Sequence, residues 1–227
     1  MRLPKVEPFD RYPHRYDGWF DRNKVVYESE LLAVATLLPD GEGLEVGVGS
    51  GRFASPLGVR LGLDPSDRMV EMALKRGVKA VKGVGESFPV RSSCLDYVLM
   101  VTTICFLEDV RSAFEEAFRI LKPGGSIVVA FIDRESPLGR LYRKRKAESV
   151  FYRVAEFYSV DEVVSLLREA GFREFKFTQT IFRSLPEIRE VEEVREGYGE
   201  GSFVVVRAIK PSAGSGSQNL KVQTPSA

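Results

Sequence analysis

The chain is poor in the residues that most often build metal and redox sites. Its 227 residues include one histidine, His14, and two cysteines, Cys94 and Cys105. We interpret the cysteines as buried thiols rather than as a disulfide or a pair of metal ligands, so we expect no metal centre. Asparagine is also scarce, and with a 29% share of charged residues this composition is typical of thermophilic sources.

Long apolar runs and an excess of one charge are absent as well. No run is long enough to span a bilayer, and residues 1–5 are not followed by the apolar stretch of a secretory signal. Lys and Arg number 33 against 32 Asp and Glu, which leaves a net charge of +1 and implies no broad electrostatic partner. We therefore expect a cytoplasmic protein with no membrane partner.

The pattern of apolar segments predicts one α/β domain over residues 1–210, because strands and helices alternate as in a parallel sheet. A linker-like tail rich in Gly and Ser, 211–227, is expected to be disordered. The expected strands are 44–48, 59–63, 79–82, 95–101, 126–132, 174–181 and 202–209. The expected helices are 25–38, 52–57, 66–76, 109–121, 136–150 and 159–170, the last with a capping box formed by Ser159 and Glu162.

A glycine-rich turn between two apolar strands is the main functional signal. Gly47, Gly49 and Gly51 follow the first strand, and Asp64 ends the second. Glycines let backbone N–H groups approach a ligand closely, and the N-terminus of the helix expected at 52–57 would favour its anionic end. Asp64 lies where a carboxylate can accept both hydroxyls of a ribose. The turn therefore predicts a nucleotide-cofactor site.

The glycine spacing alone leaves two cofactors open. The dinucleotide pattern G-x-G-x-x-G/A fails from Gly47, because Arg52 stands at its last position, but it matches from Gly49 with Ala54. An NAD-dependent oxidoreductase thus stays an alternative, although no hydride-transfer site is evident.

The acid before the glycines points to a particular family. The stretch from Glu45 to Gly51 resembles the first motif of class I S-adenosylmethionine-dependent methyltransferases, in which the acid of the second strand, here Asp64, grips the ribose. Met69 would lie near the adenine. Residues 83–90 resemble the motif G-D-A-E-x-L-P-F but carry Val84 at the acidic position, so a hydrogen bond there must come from the backbone or from Glu86.

Two later segments extend the resemblance to roughly residues 16–132. Residues 95–101 are similar to the family's fourth strand, and 119–129 match its R-x-L-K-P-G-G turn. Among subgroups the chain most resembles the ubiquinone/menaquinone-biosynthesis type, methyltransferase type 11. The resemblance implies a doubly wound, seven-stranded, mostly parallel sheet with an antiparallel last strand. It also implies that the chain transfers a methyl group from S-adenosylmethionine to a small molecule, and a substrate-selecting lid at 133–158.

The predicted cofactor contacts come from these motifs and from an N-terminal lid within residues 1–40. They are Tyr16, Glu45, Gly47, Gly49, Gly51, Asp64, Pro65, Met69, Gly85, Glu86 and Thr102. Candidates for the acceptor are Trp19, Thr103 and Tyr198. Methyl transfer depends more on the alignment of the acceptor with the methyl group than on catalytic side chains, so a general base is optional. The candidates for a general base are His14 and Tyr16.

Other acceptors and roles stay open. The basic run 140–146 could attract an anionic substrate or an RNA phosphate chain, but a solvated helix face is the preferred explanation and nucleic acid is not the favoured partner. A protein acceptor and a non-catalytic cofactor-binding module are the remaining alternatives.

Overall fold

A computed structural model describes residues 5–212. These residues contain an eight-stranded sheet with the order β3-β2-β1-β4-β5-β8-β6-β7. Strands β1 to β5 run parallel, and β8 is antiparallel to both β5 and β6. The strands are β1 Gly43–Val46, β2 Leu61–Asp64, β3 Lys79–Lys82, β4 Leu95–Val101, β5 Leu121–Ile132, β6 Arg173–Thr180, β7 Arg195–Glu196 and β8 Phe203–Ile209. This arrangement confirms the predicted α/β fold.

The sheet has one strand more than expected. The extra strand is the two-residue β7, which pairs antiparallel with Thr178 and Gln179 at the edge of β6. Such a short edge pairing has no apolar alternation, so the sequence pattern does not reveal it.

Helices cover both faces of the sheet. They are α1 Glu7–Arg11, α2 Pro13–Arg22, α3 Lys24–Leu37, α4 Asp67–Lys75, α5 Val110–Ile120, α6 Pro137–Lys144 and α7 Val160–Glu169. Ser159 and Glu162 form the predicted capping box of α7. None of the helices within residues 5–212 has the length and apolar character that a membrane crossing requires.

The strand β4 shows how the core divides. Val98 and Met100 face a layer that contains α5 and α7, whereas Leu99 and Val101 face α2, α3 and α4. Side chains alternate across a strand, so a strand buried on both faces reads as a continuous apolar run. The parallel neighbours β2, β1 and β4 bring their carboxyl ends side by side at one edge of the sheet.

The expected helix at 52–57 is wrong. These residues form consecutive turns, in which the N–H of Ser55 bonds to Gly51 O and that of Leu57 to Phe53 O. Pro56 has no N–H to donate, which prevents a regular helix. The turn after β1 therefore gains no helix dipole from this segment.

The C-terminal part of the expected helix 136–150 is replaced by a short 3₁₀ turn after Lys144.

Of the predicted disordered tail, residues 213–227 lie outside the described residues. Cys94 and Cys105 are not joined to each other, and Cys105 is buried as expected.

Candidate active site

The loop after β1 needs glycine at two positions. Gly47 and Gly49 have φ angles of +68° and +53°, which L residues rarely adopt. A Cβ on Gly47 would lie 2.4 Å from the Thr103 side chain, and one on Gly49 would lie 3.5 Å from the ring and hydroxyl of Tyr16. The loop thus brings its backbone close to the side chains that follow β4 and to α2.

Asp64 closes this loop through its carboxylate. Its Oδ2 accepts the N–H of Gly49 at 2.8 Å, and its Oδ1 accepts that of Ser66 at 2.9 Å. The residue is 8% exposed, and burial raises the pKa of Asp64 to about 6 against the lowering effect of these hydrogen bonds. Each oxygen retains a lone pair for a further donor.

A first cavity, of about 80 Å³, lies at the carboxyl edge of the sheet above this loop. The N-terminal segment covers it, because Lys5 Nζ donates to Leu107 O at 3.1 Å and Ser66 Oγ donates to Asp10 Oδ1 at 2.6 Å. The cavity is lined by Lys5, Val6, Phe9, Tyr16, Val46, Gly47, Gly49, Asp64, Pro65, Val84, Glu86, Val101, Thr102, Thr103, Phe106, Leu107 and Glu108.

Glu86 lines the same cavity but already has partners. Its Oε1 accepts the N–H of Glu108 at 2.9 Å and of Asp109 at 3.2 Å, directly before α5. Gly85 is buried beside it, where a Cβ would lie 2.7 Å from the Leu107 side chain. These contacts hold the loops after β3 and β4 together at the cavity.

An ion-pair network ties α2 to the glycine loop. Asp17 accepts hydrogen bonds from Ser50 Oγ at 2.6 Å, Arg52 Nε at 2.9 Å and Arg76 Nη2 at 2.8 Å. Burial opposes the ionisation of Asp17, but these hydrogen bonds outweigh it and lower its pKa to about 2. The helix that carries Tyr16 and Trp19 is thereby fixed against the loop.

A second cavity, of about 280 Å³, adjoins the first. Eight of the fourteen residues that line it are aromatic, and Tyr16, Thr102 and Phe106 line both cavities. The complete lining is Arg15, Tyr16, Trp19, Phe20, Arg22, Glu30, Phe53, Thr102, Phe106, Ile132, Tyr142, Ser149, Phe151 and Tyr152. We call Tyr16, Thr102 and Phe106 the shared wall.

Thr102 of the shared wall has an unusual backbone. Its φ is +50°, although it is not glycine, and its N–H bonds to Ala130 O at 2.7 Å. A non-glycine residue in this region costs on the order of 1–3 kcal/mol, and such residues cluster at functional sites. The strain lies where the two cavities meet.

Comparison with known proteins identifies the family. A methyltransferase-domain family matches residues 44–129. A solved S-adenosylmethionine-dependent methyltransferase from Thermotoga maritima, described as a possible histamine N-methyltransferase, is 51% identical with a TM-score of 0.89; the match covers 90% of this chain and 99% of that one. The chain belongs to the S-adenosylmethionine-dependent methyltransferases.

Two further relatives are similar to the chain. An uncharacterized protein of Methanocaldococcus jannaschii is 45% identical; the match covers 89% of this chain and 98% of that protein. A demethylmenaquinone methyltransferase of Lactococcus lactis is 26% identical over 70% of the chain and 62% of its own length. The cofactor is therefore S-adenosylmethionine, which decides the choice that the glycine spacing left open.

Four predicted cofactor residues of the methyltransferase do not line the first cavity, namely Glu45, Gly51, Met69 and Gly85. Glu45 is 2% exposed; burial raises its pKa, and it accepts the N–H of Ala54. A Cβ on Gly51 would lie 3.2 Å from Ala73 Cα, and Met69 is fully buried in α4. Their positions favour support of the loops over direct contact.

The three residues predicted to contact the acceptor lie in different places in the structure. Trp19 lines the second cavity and Thr103 the first, where the Thr103 hydroxyl donates to carbonyl oxygens of Val46 and Val101. Tyr198 is 46% exposed, packs on Phe177 and lines neither cavity. His14 is exposed on α2 and also lines neither, so of the two candidate bases only Tyr16 reaches the cavities.

Among the residues that the sequence did not assign to the site, Glu30 is an ionisable one. Glu30, on α3, lines the second cavity while only 6% exposed, and burial raises its pKa to about 8. The signal was present: Glu30 occupies the buried stripe of α3 formed by Val26, Ala33, Val34 and Leu37 at helical spacing. An acid in such a stripe is seldom found without a partner.

Proposed function

We propose that the methyltransferase binds S-adenosylmethionine in the first cavity and methylates a small molecule held in the second. The shared wall carries this proposal, because a group reaching it from the first cavity meets a group reaching it from the second. Concave, largely apolar sites of this kind suit small molecules better than a nucleic-acid strand.

The residues of the first cavity fit the cofactor. Asp64 offers lone pairs to the two ribose hydroxyls, beside backbone that Gly47 and Gly49 leave uncovered. Pro65, Val84 and Glu86 line the part of the cavity beyond Asp64 and would face the adenine. Tyr16 and Thr102 would then contact the opposite end of the cofactor, at the shared wall.

The chain's contribution to the reaction is mainly placement. The bound sulfonium supplies an activated methyl group with a good leaving group. Tyr16, Thr102 and Phe106 would align the acceptor with that group, and the aromatic side chains around them would exclude water. Well-oriented pairs gain about 7–11 kcal/mol in this way. The ion pairs of Asp17 hold Tyr16 in place for this purpose.

The segment 133–158 supports a small acceptor. Tyr142, Ser149, Phe151 and Tyr152 of this predicted lid all line the second cavity. The Thermotoga maritima relative is described as a possible histamine N-methyltransferase, and histamine is a small molecule. The lid and the N-terminal segment would together enclose the acceptor.

The test uses S-adenosylmethionine labelled in its methyl group. The methyltransferase is incubated with cell extract separated by ultrafiltration into small molecules and macromolecules, and the macromolecules are treated with nuclease or protease. We expect label in the small-molecule fraction. Label found only in the macromolecular fraction, and removed by nuclease or protease, would overturn the proposal in favour of RNA or protein.

A further inference from the structure

The second cavity contains a buried acid without a partner. Within residues 5–212, the Glu30 carboxyl has no hydrogen bond or ion pair, and it is the one acidic side chain of the cavity lining. Burying an unpaired carboxyl is costly, so a side chain of this kind is retained where something pairs with it. Because Glu30 faces the cavity, that partner would come from the ligand.

The cations at the cavity mouth do not supply this partner. Arg15 and Arg22 are exposed, and Arg22 Nη2 donates back to the carbonyl of Arg15 at 3.3 Å. Burial alone accounts for the raised pKa of Glu30, with no lowering by a neighbouring cation. The Glu30 carboxyl thus lacks a counter-charge from the described part of the chain.

The walls around Glu30 are suited to a cation. Tyr142 and Tyr152 stack at 4.7 Å between ring centroids, and both line the cavity with Trp19. Burial raises the pKa of Tyr142 and of Tyr152, and the Glu30 carboxylate raises them further, so its charge is felt at both hydroxyls. Aromatic faces attract ammonium groups, with gains that increase when water is excluded.

We propose that the second cavity binds the ammonium group of a primary or secondary amine between Glu30 and the aromatic wall, with the amine nitrogen as the methyl acceptor. This inference rests on the proposed function and specifies its substrate class. It assigns to Glu30 both the recognition of the cation and the removal of its proton.

The proton balance follows from the charges. An ammonium nitrogen has no lone pair, so the Glu30 carboxylate takes one N–H proton. The freed lone pair forms the N–C bond as the S–C bond breaks, which leaves S-adenosylhomocysteine and a methylated ammonium. The proton on Glu30 then passes to water. Burial favours the protonated carboxyl, so this transfer is less unfavourable than to an exposed carboxylate.

Binding, rather than turnover, is the first test. Calorimetry with S-adenosylhomocysteine present compares benzylamine, 2-phenylethylamine and tryptamine with their isosteric alcohols, benzyl alcohol, 2-phenylethanol and tryptophol. We expect at least one amine to bind about 10-fold or more tightly than its alcohol. If no pair shows a preference for the amine, the inference is wrong whatever the variants do.

Glu30→Gln tests the role of the carboxylate with little change in shape. It should abolish the amine preference and reduce N-methylation by about 10²–10⁴-fold, while S-adenosylhomocysteine binds as before. Glu28→Gln is the matched control, because Glu28 is on the same helix but half-exposed and paired with Lys24. Retained amine preference in a folded Glu30→Gln protein would contradict the inference.

Proton release distinguishes recognition from a structural role. Burial raises the pKa of Glu30 to about 8, which favours the protonated carboxyl at pH 7, whereas an ammonium beside it stabilises the ionised form. Amine binding should therefore release a fraction of one proton, measured in buffers of different ionisation enthalpy, and Glu30→Gln should abolish the release. Equal proton release by wild type and variant would exclude Glu30 as the partner.

Failure of this inference differs from failure of the proposed function. Label transferred to an oxygen, sulfur or carbon of a small molecule would overturn the amine assignment alone. Label transferred only to RNA or protein would overturn the small-molecule function itself.

Discussion

The two cavities that meet at the shared wall are built in different ways. The first is built largely from strand ends and loops, with Gly47, Gly49 and Asp64 close together in sequence. The second is built largely from side chains of α2, α3 and α6 and of residues 149–152, which the fold brings together from distant segments. A site made from backbone depends on local sequence, whereas one made from packed side chains depends on the tertiary arrangement.

Gly49→Val should break the first cavity most completely. A β-branched side chain at a φ of +53° strains the loop and extends toward Tyr16 across the cofactor path. We expect calorimetry to detect no S-adenosylmethionine binding. Gly58→Val is the control, because Gly58 also has a positive φ but no atoms near a Cβ and does not line the cavity. Equal affinities for the two variants would contradict the proposed path.

Asp64→Ala should weaken S-adenosylmethionine binding by about 1.5–3 kcal/mol, or roughly 10- to 100-fold, because it removes charge-assisted acceptors for the ribose. Asp67→Ala serves as the control, since Asp67 is exposed and pairs with Lys82. Wild-type affinity should also fall as the pH drops below about 6, the pKa of Asp64, because the protonated carboxyl is a poorer acceptor. Unchanged affinity in Asp64→Ala would remove this residue from the ribose site.

Asp17→Asn tests the ion pairs that fix α2, the helix of Tyr16, against the glycine-rich loop. Its pKa is lowered to about 2 in the folded protein, so ionised Asp17 contributes about 2 kcal/mol to stability. This contribution is present above about pH 4, the unfolded value, and is lost as the pH falls toward 2. Denaturant unfolding at pH 7 should show the loss, and at pH 2 wild type and variant should converge. A constant difference across this range would argue against the ion pairs.

Tyr198→Ala and His14→Ala should have the smallest effects. Both residues are exposed and line neither cavity, so we expect S-adenosylmethionine affinity and methyl transfer to stay within about twofold of wild type. A large loss of turnover in either variant, measured with labelled cofactor, would mean that its loop or helix reaches the acceptor.

The sequence predicted the sheet and the first cavity because their signals are local. Strands such as 79–82 and 95–101 agree with the structure to the residue, and the glycine spacing with Asp64 located the loop. The prediction of a helix at 52–57 was wrong because it followed the apolar pattern and did not allow for Pro56, which lacks an N–H to donate. The glycines around Tyr198 indicate a loop but not the direction in which it points, and in the structure Tyr198 lines neither cavity.

The second cavity could be predicted only in part. Trp19 and Tyr16 were found through their place in the N-terminal segment, whereas Glu30, Tyr142 and Tyr152 were not assigned a role. Each of the three lies on a segment whose apolar pattern also explains a helix or a core contact. Only the tertiary structure shows that they face one space. The local signal for Glu30 is an acid within a buried helical stripe.

A crystal structure of the protein grown with S-adenosylhomocysteine tests most directly whether the first cavity binds the cofactor and the second the acceptor. We expect ribose hydroxyls within hydrogen-bond distance of Asp64 and a sulfur atom that faces Tyr16, Thr102 and Phe106, with the second cavity beyond. A ligand bound elsewhere, or a sulfur atom directed away from the shared wall, would contradict it.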